Sequence, residues 1–232
     1  MKFGIGQSVQ RSEDDRFLRG QGHYIEDIVD PHALHVAFVR SPVAHARLKD
    51  VGTSAALAMP GVVAVLLGSD YSADGIGGLG CHTVLPGMHQ ANAIVPAPAI
   101  TIDRMRYVGV PVAMVVAESA QLARDAAELV DIDYEELDVV LTPSAALAKG
   151  APALWDSIPD NVAFKVELGD AAATQSALAA ASHVTRLKLH NNRLSANAME
   201  MRGAVARYEA RDNRLTFFAS TQAPHTIRGD LA

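Results

Sequence analysis

The strongest constraint in this sequence is an apolar run followed at once by an amphipathic stretch and a second extended run. Residues 112–117 (VAMVVA) are apolar throughout and include three β-branched valines. A run of that length and composition reads as a buried strand. Residues 119–130 then read as a helix, with Ser119 at the N-cap and Leu122, Ala126, Leu129 and Val130 as its apolar positions. Residues 131–134 return as a strand. Strand, helix and strand within about 25 residues form a packed α/β unit.

The flanks supply further elements. Residues 1–30 are polar and punctuated by glycine, which predicts a loop with one short turn of helix and then a strand at 23–25. Residues 35–40 (HVAFVR) predict a strand ended by Ser41-Pro42. A second strand is expected at 47–51. A short helix follows at 54–59, capped by Thr53 or Ser54 and stopped by Pro60-Gly61. Residues 62–67 form a compact apolar run and predict a buried strand. Residues 69–100 are rich in glycine and proline and read as a long loop.

Three prolines and a glycine in residues 143–162 mark a linker. An alanine-rich helix is expected at 171–181 with Asp170 as its N-cap. Strands are expected at 183–190, 204–208 and 215–219, the last two joined by the turn Arg211-Asp212-Asn213-Arg214. Thr221-Gln222-Ala223-Pro224 reads as a strand-to-helix junction with proline in the first helical turn. The helix has no C-cap signal before Ala232, so the sequence is expected to be partial.

Composition removes several function classes. The 232 residues carry a net charge of −6, and their basic side chains are scattered, so no nucleic-acid partner is expected. Apolar residues make up 49% of the chain and charged ones 20%, enough to bury an ordinary core. No apolar run reaches the roughly 18 residues of a membrane span. The N-terminus lacks the apolar segment of a signal peptide, and a cytoplasmic location is expected. Cys81 is the single cysteine, which excludes an intrachain disulfide and an iron–sulfur cluster held by this chain alone.

Residue by residue, few motifs carry chemistry. Gly75-Ile76-Gly77-Gly78-Leu79-Gly80 lacks the preceding strand and following helix of a dinucleotide loop and reads as a plain loop. Cys81, His82 and His89 are a thin ligand set without a fourth partner. His32, His35 and His45 read as surface or core histidines. Glu13-Asp14-Asp15 and Glu135-Glu136 read as solvated faces. Glu200 and Arg202 read as an ordinary ion pair, and Gln222 as a capping or solvent-facing amide.

Longer blocks change this reading. GQSVQRSEDDRFLRGQGHYIEDI opens the chain. LHVAFVRSPVAHARLKDVGTSAALAMPGVVAVLLGSD and RYVGVPVAMVVAESAQLARDAAELVDIDYEELDVVLTPSAALA follow, and then a block from Gly169 to the end that contains SANAMEMRGAVARYEA and FFASTQAPH. In this order they resemble the N-terminal part of the molybdenum-binding large subunit of the xanthine dehydrogenase, aldehyde oxidase and carbon monoxide dehydrogenase family. The chain departs from the family pattern at Val110, where an acidic residue is usual, and at Met201, where proline is usual.

The resemblance implies an α+β chain: an N-terminal segment and α/β hammerhead domain over 1–145, a linker over 146–162, and the incomplete start of an α+β molybdopterin-binding domain over 163–232. It implies oxidative hydroxylation of an aldehyde, an N-heterocycle or carbon monoxide, with oxygen derived from water. The implied cofactor is molybdenum–molybdopterin, in its cytosine dinucleotide form, shared with downstream sequence. The implied partners are an iron–sulfur small subunit and an FAD medium subunit in a hetero-oligomer. Gln222 is the position at which the family's glutamine hydrogen-bonds a ligand of the molybdenum. The family's glycine-rich pterin loop and its late glutamate base find no counterpart here, so the chain alone is expected to be inactive. Two other readings stand beside this one. One is a natively short assembly subunit that pairs with a separate chain carrying the rest of the site. The other is an unrelated α+β enzyme with its site in the 69–100 loop.

Overall fold

A computed structural model describes the chain except for residues 1–5, 7, 29, 81–96, 193 and 232. Two compact units emerge. One is continuous, Ala33–Arg186, and the other combines Met1–His32 with Leu187–Ala232.

The continuous unit is built around the apolar run that dominates the sequence. This run is β5 (Pro111–Ala117), the middle strand of a three-stranded antiparallel sheet. β1 (His35–Arg40) pairs on one side and β3 (Val62–Leu67) on the other. Side chains alternate across a strand, so β5 serves two cores. Ala113 and Val115 pack with Val39, Ala56, Ala126 and Val130. Val112, one residue out of phase, packs with Ala46, Met105 and Val110.

The helix that follows is α4 (Ala120–Ala127). Ser119 caps it as expected, its hydroxyl accepting from the Leu122 amide at 3.2 Å. The face it buries carries Ala123 and Ala126, small enough for the helix backbone to lie close to the sheet. The helix ends earlier than the apolar spacing suggests. Leu129 and Val130 lie beyond it, Val130 buried and Leu129 half exposed.

The return strand, β6 (Asp131–Glu136), does not rejoin the sheet of β5. It pairs with β2 (Ala46–Gly52), whose other edge takes β4 (Arg104–Met105), a two-residue strand too short to announce itself in sequence. Val51 and Ile132 of this second sheet pack against both cores and so tie the two layers together.

The remaining helices are short or exposed. α1 (Asp14–Leu18) supplies the expected turn near the N-terminus, and α2 (Ser54–Leu57) and α5 (Pro143–Ala146) are single turns, although α2 still lends Ala56 to the first core. α6 (Ala171–Ala180) is capped by Asp170, whose carboxylate accepts from the Ala173 amide at 2.8 Å. It buries no residue, so its alanine content sustains it.

Three expectations fail. Residues 23–25 are not a strand. A turn of 3-10 helix occupies Ile25–Asp27 instead, because the Asp27 carboxylate captures the Tyr24 amide at 2.8 Å. The 69–100 segment does not begin as loop. α3 (Gly68–Ala73) fills its start, with the Asp70 carboxylate accepting from the Leu67 amide at 2.7 Å. Gly68 is required there because a Cβ would collide with the carbonyl oxygen of Thr101. Residues 183–190 have the composition of a strand but form no ladder among the described residues. Leu187 and Leu189 are correspondingly exposed.

Met105 is fully buried against Ala46 and Val112. Met105→Ala should destabilise the chain by about 2–5 kcal/mol, whereas Val63→Ala, at a half-exposed position of β3, should cost well under half as much. Urea denaturation followed by circular dichroism separates the two.

Candidate functional site

The Gln222 corner belongs to the second unit and is best built from its hairpin. β7 (Ala204–Glu209) pairs antiparallel with β8 (Arg214–Ala219) as the expected hairpin, each strand one residue longer at the turn, with Glu209 opposite Arg214. The turn closes through Asn213, which adopts a left-handed φ of 46° and accepts from the Tyr208 hydroxyl at 2.9 Å. Arg214 adds a two-pronged contact to Glu209 at 2.9 and 3.0 Å.

β8 leads into the corner at Ser220. The Ser220 amide donates to the Gly203 carbonyl at 3.4 Å, and the Gly203 amide donates to the Ser220 hydroxyl at 3.3 Å. One residue on, the Thr221 hydroxyl accepts from the Ala223 amide at 3.0 Å. Pro224 then opens α7 (Pro224–Asp230), its missing amide costing nothing in a first helical turn. Gln222 sits between Thr221 and Ala223 with its backbone constrained on both sides. Its side chain is exposed and takes no part in the described hydrogen bonds.

Beside the corner, β8 and α7 enclose an open groove of about 600 Å³ lined by Phe217, Ala219, Thr221, Pro224, Ile227 and Leu231, among others. The groove is mostly apolar, and Gln222 is not one of its lining residues.

The N-terminal segment braces the same unit. Asp30 forms an ion pair with Arg207 of β7 at 2.6 Å and accepts from the His32 amide at 3.0 Å. These contacts hold the Asp30 carboxyl below its ordinary pKa, the His32 amide first and the Arg207 side chain second. Ile25 approaches Gly203 so closely that a Cβ there would stand 3.0 Å from its methyl group. Nothing local announces the Asp30–Arg207 pair, since 177 residues separate its members.

Other sequence candidates settle less productively. Glu200 and Arg202 are exposed, and no ion pair joins them among the described residues, which corrects that reading. His32 and His35 are exposed, while His45 is buried with Nδ1 2.8 Å from the Asp138 carbonyl. A helix, α3, and not a strand, precedes the glycine run at 75–80. Cys81, His82 and His89 lie outside the described residues. Among the described residues no cluster of three His, Cys, Asp or Glu could hold a metal ion, and no helix is long and apolar enough to cross a membrane.

Comparison with known proteins decides the family. Residues 19–138 match the family described as aldehyde oxidase and xanthine dehydrogenase, a/b hammerhead domain. The chain belongs to that family. Residues 154–232 match the molybdopterin cofactor-binding domain, so the Gln222 corner falls inside it. The nicotine 6-hydroxylase large subunit of Paenarthrobacter nicotinovorans is 39% identical over 97% of this chain and 27% of its own length. The carbon monoxide dehydrogenase large chain of Afipia carboxidovorans is 35% identical, over 97% of this chain and 28% of its own. Among solved structures, quinoline 2-oxidoreductase from Pseudomonas putida 86 superposes with a TM-score of 0.82 at 36% identity, covering 99% of this chain and 28% of that one. The chain thus spans less than a third of the length of each of these proteins.

The hammerhead family and the cofactor-binding domain both agree with the resemblance carried by the sequence blocks. They exclude the unrelated enzyme centred on the 69–100 loop.

The Asp30 contact makes a prediction about acid. A carboxylate whose pKa is depressed by folding contributes fully above its unfolded value, and that contribution is lost as pH falls through the folded value. The His32 amide resonance should therefore titrate below the ordinary carboxylate range in the native chain. In Asp30→Asn that step should vanish from an NMR pH series.

Proposed function

We propose that this chain is the N-terminal portion of the molybdenum-binding large subunit of an oxidative hydroxylase. The observation that carries the proposal is the succession of two family matches on one chain, hammerhead over 19–138 and molybdopterin cofactor-binding domain over 154–232. The same succession is covered by relatives that oxidise nicotine, quinoline and carbon monoxide, as their names state.

Molybdenum–molybdopterin, in the cytosine dinucleotide form, would supply the redox chemistry when bound. An iron–sulfur small subunit and an FAD medium subunit would carry the electrons away. The single cysteine of this chain fits that division, because it cannot hold a cluster by itself.

Gln222 is the residue through which this chain would meet the metal site. The corner suits the task. Its backbone is pinned by Ser220 and Thr221, while the amide side chain is exposed and uncommitted. A carboxamide can donate a hydrogen bond to a ligand of the metal without adding charge and without displacing that ligand. A carboxylate at the same place would add charge and lose the donor. The Asp30–Arg207 pair and the Ile25–Gly203 contact would act further back, holding the hairpin from which the corner springs.

Activity would then require the rest of the large subunit. The 232-residue chain supplied with pterin cofactor and an aldehyde or N-heterocycle should show no turnover; turnover without a partner would overturn the proposal. In the complete enzyme, Gln222→Ala and Gln222→Glu should each lower kcat by about 10–100-fold. Their circular dichroism should be unchanged, since the side chain is exposed and joins none of the hydrogen bonds that hold the corner. Wild-type turnover by both variants would remove Gln222 from the site.

A further inference from the structure

The segment 146–162 reads as a linker in sequence, yet within the unit Ala33–Arg186 it is folded back and fastened. One side chain braces it from inside. Asn161 accepts from the Leu154 amide at 2.9 Å and donates through Nδ2 to the carbonyls of Ala146 and Pro152 at 3.2 and 3.1 Å. Its φ of 57° is a conformation that asparagine tolerates better than most residues. The Ile158 amide bonds the Trp155 carbonyl at 2.9 Å, which closes the tip into a turn. The loop therefore has a shape of its own.

Two arginines hold that shape from outside. Arg104, in β4, meets both carboxylate oxygens of Asp156, at 3.1 and 3.2 Å. The Arg106 guanidinium lies 3.5 Å from the centre of the Trp155 ring, and its Nε donates to the Leu154 carbonyl at 3.2 Å. Arg106 is itself aimed by Asp103 and by the Arg104 carbonyl. Both arginine side chains are nearly covered, 15% and 12% exposed, whereas Asp156 is 84% exposed. Fastening is thus polar and aromatic. Ile158 is the one buried apolar residue of the loop tip.

The loop walls a cleft of about 590 Å³. Trp155, Asp156 and Ser157 line it together with Gly68, Tyr71 and Ile102, among others. We propose that residues 146–161 are a latch: an internally braced loop, held by Arg104 and Arg106, that opens as a unit and uncovers the cleft. Internal bracing lets it keep its form when released, and the small number of outer contacts places its opening far below global unfolding. The inference does not depend on the cofactor or on the reaction proposed above.

Trp155 is the only tryptophan of the chain, so its fluorescence reports on the latch alone. In the full chain, Arg106→Gln should raise acrylamide quenching of Trp155 by about twofold or more and shift its emission to longer wavelength, with far-ultraviolet circular dichroism unchanged. On titration with urea, the Trp155 signal should change before the circular dichroism. Should Arg106→Gln fail to fold, Asp156→Asn removes only an exposed partner and should still increase quenching, though less. Unchanged quenching in the folded variants, or superimposable Trp155 and circular dichroism transitions, would show the loop to be an inseparable part of the core and end the proposal.

Discussion

Burial of one strand on both faces organises the continuous unit. β5 cannot be covered by a single layer, because Val112 and Val115 point to opposite sides and both are fully buried. One face is closed by α2 and α4 through small side chains, the other by β2 and β4 through Ala46 and Met105. The return strand β6 joins that second sheet, and Val51 and Ile132 then touch both cores. Two sheets with one shared middle strand in their packing, not in their pairing, follow from that single requirement.

The other unit rests on different physics. Its two strands bury little, and Leu215, Phe217 and Phe218 remain substantially exposed. An isolated hairpin of this size is marginal in water. Here polar closure compensates locally: Tyr208 to Asn213, Arg214 to Glu209, Asp30 to Arg207, and the exchange between Ser220 and Gly203. The corner that carries Gln222 is therefore held by hydrogen bonds of the backbone and of short side chains, which leaves the amide free. An apolar groove beside it and a pinned polar corner are compatible demands, since the groove is lined mainly by side chains of β8 and α7 and the corner is pinned by the backbone and hydroxyls between them.

Much of this was legible before any coordinates. Strong periodicity placed β1, β3, β5, α4 and the β7–β8 hairpin, and the caps at Ser119 and Asp170 form as their residue types suggest. Failures share a cause. At Tyr24 and Leu67 a nearby aspartate captures a backbone amide and bends the chain where composition suggested strand or loop. At 183–190 composition suggested a strand, but a strand exists only with a partner, and none is supplied among the described residues. The segment 146–162 has the composition of a tether, and its fastenings, Arg104 and Arg106, lie about fifty residues away.

Sequence alone determined the elements whose signals are local, namely apolar spacing, caps and turn residues, together with the ordered blocks that mark the family. Gln222 could be picked out from such a block, and its strand-to-helix setting from Pro224. Tertiary structure decided which face of β5 meets which core, which sheet receives β6, and that Asp30 braces Arg207 across 177 residues. The division has a physical reason. A cap or a turn is settled by groups a few residues apart along the chain, whereas a pairing between distant residues depends on closing a loop, and neither partner carries a mark of the other.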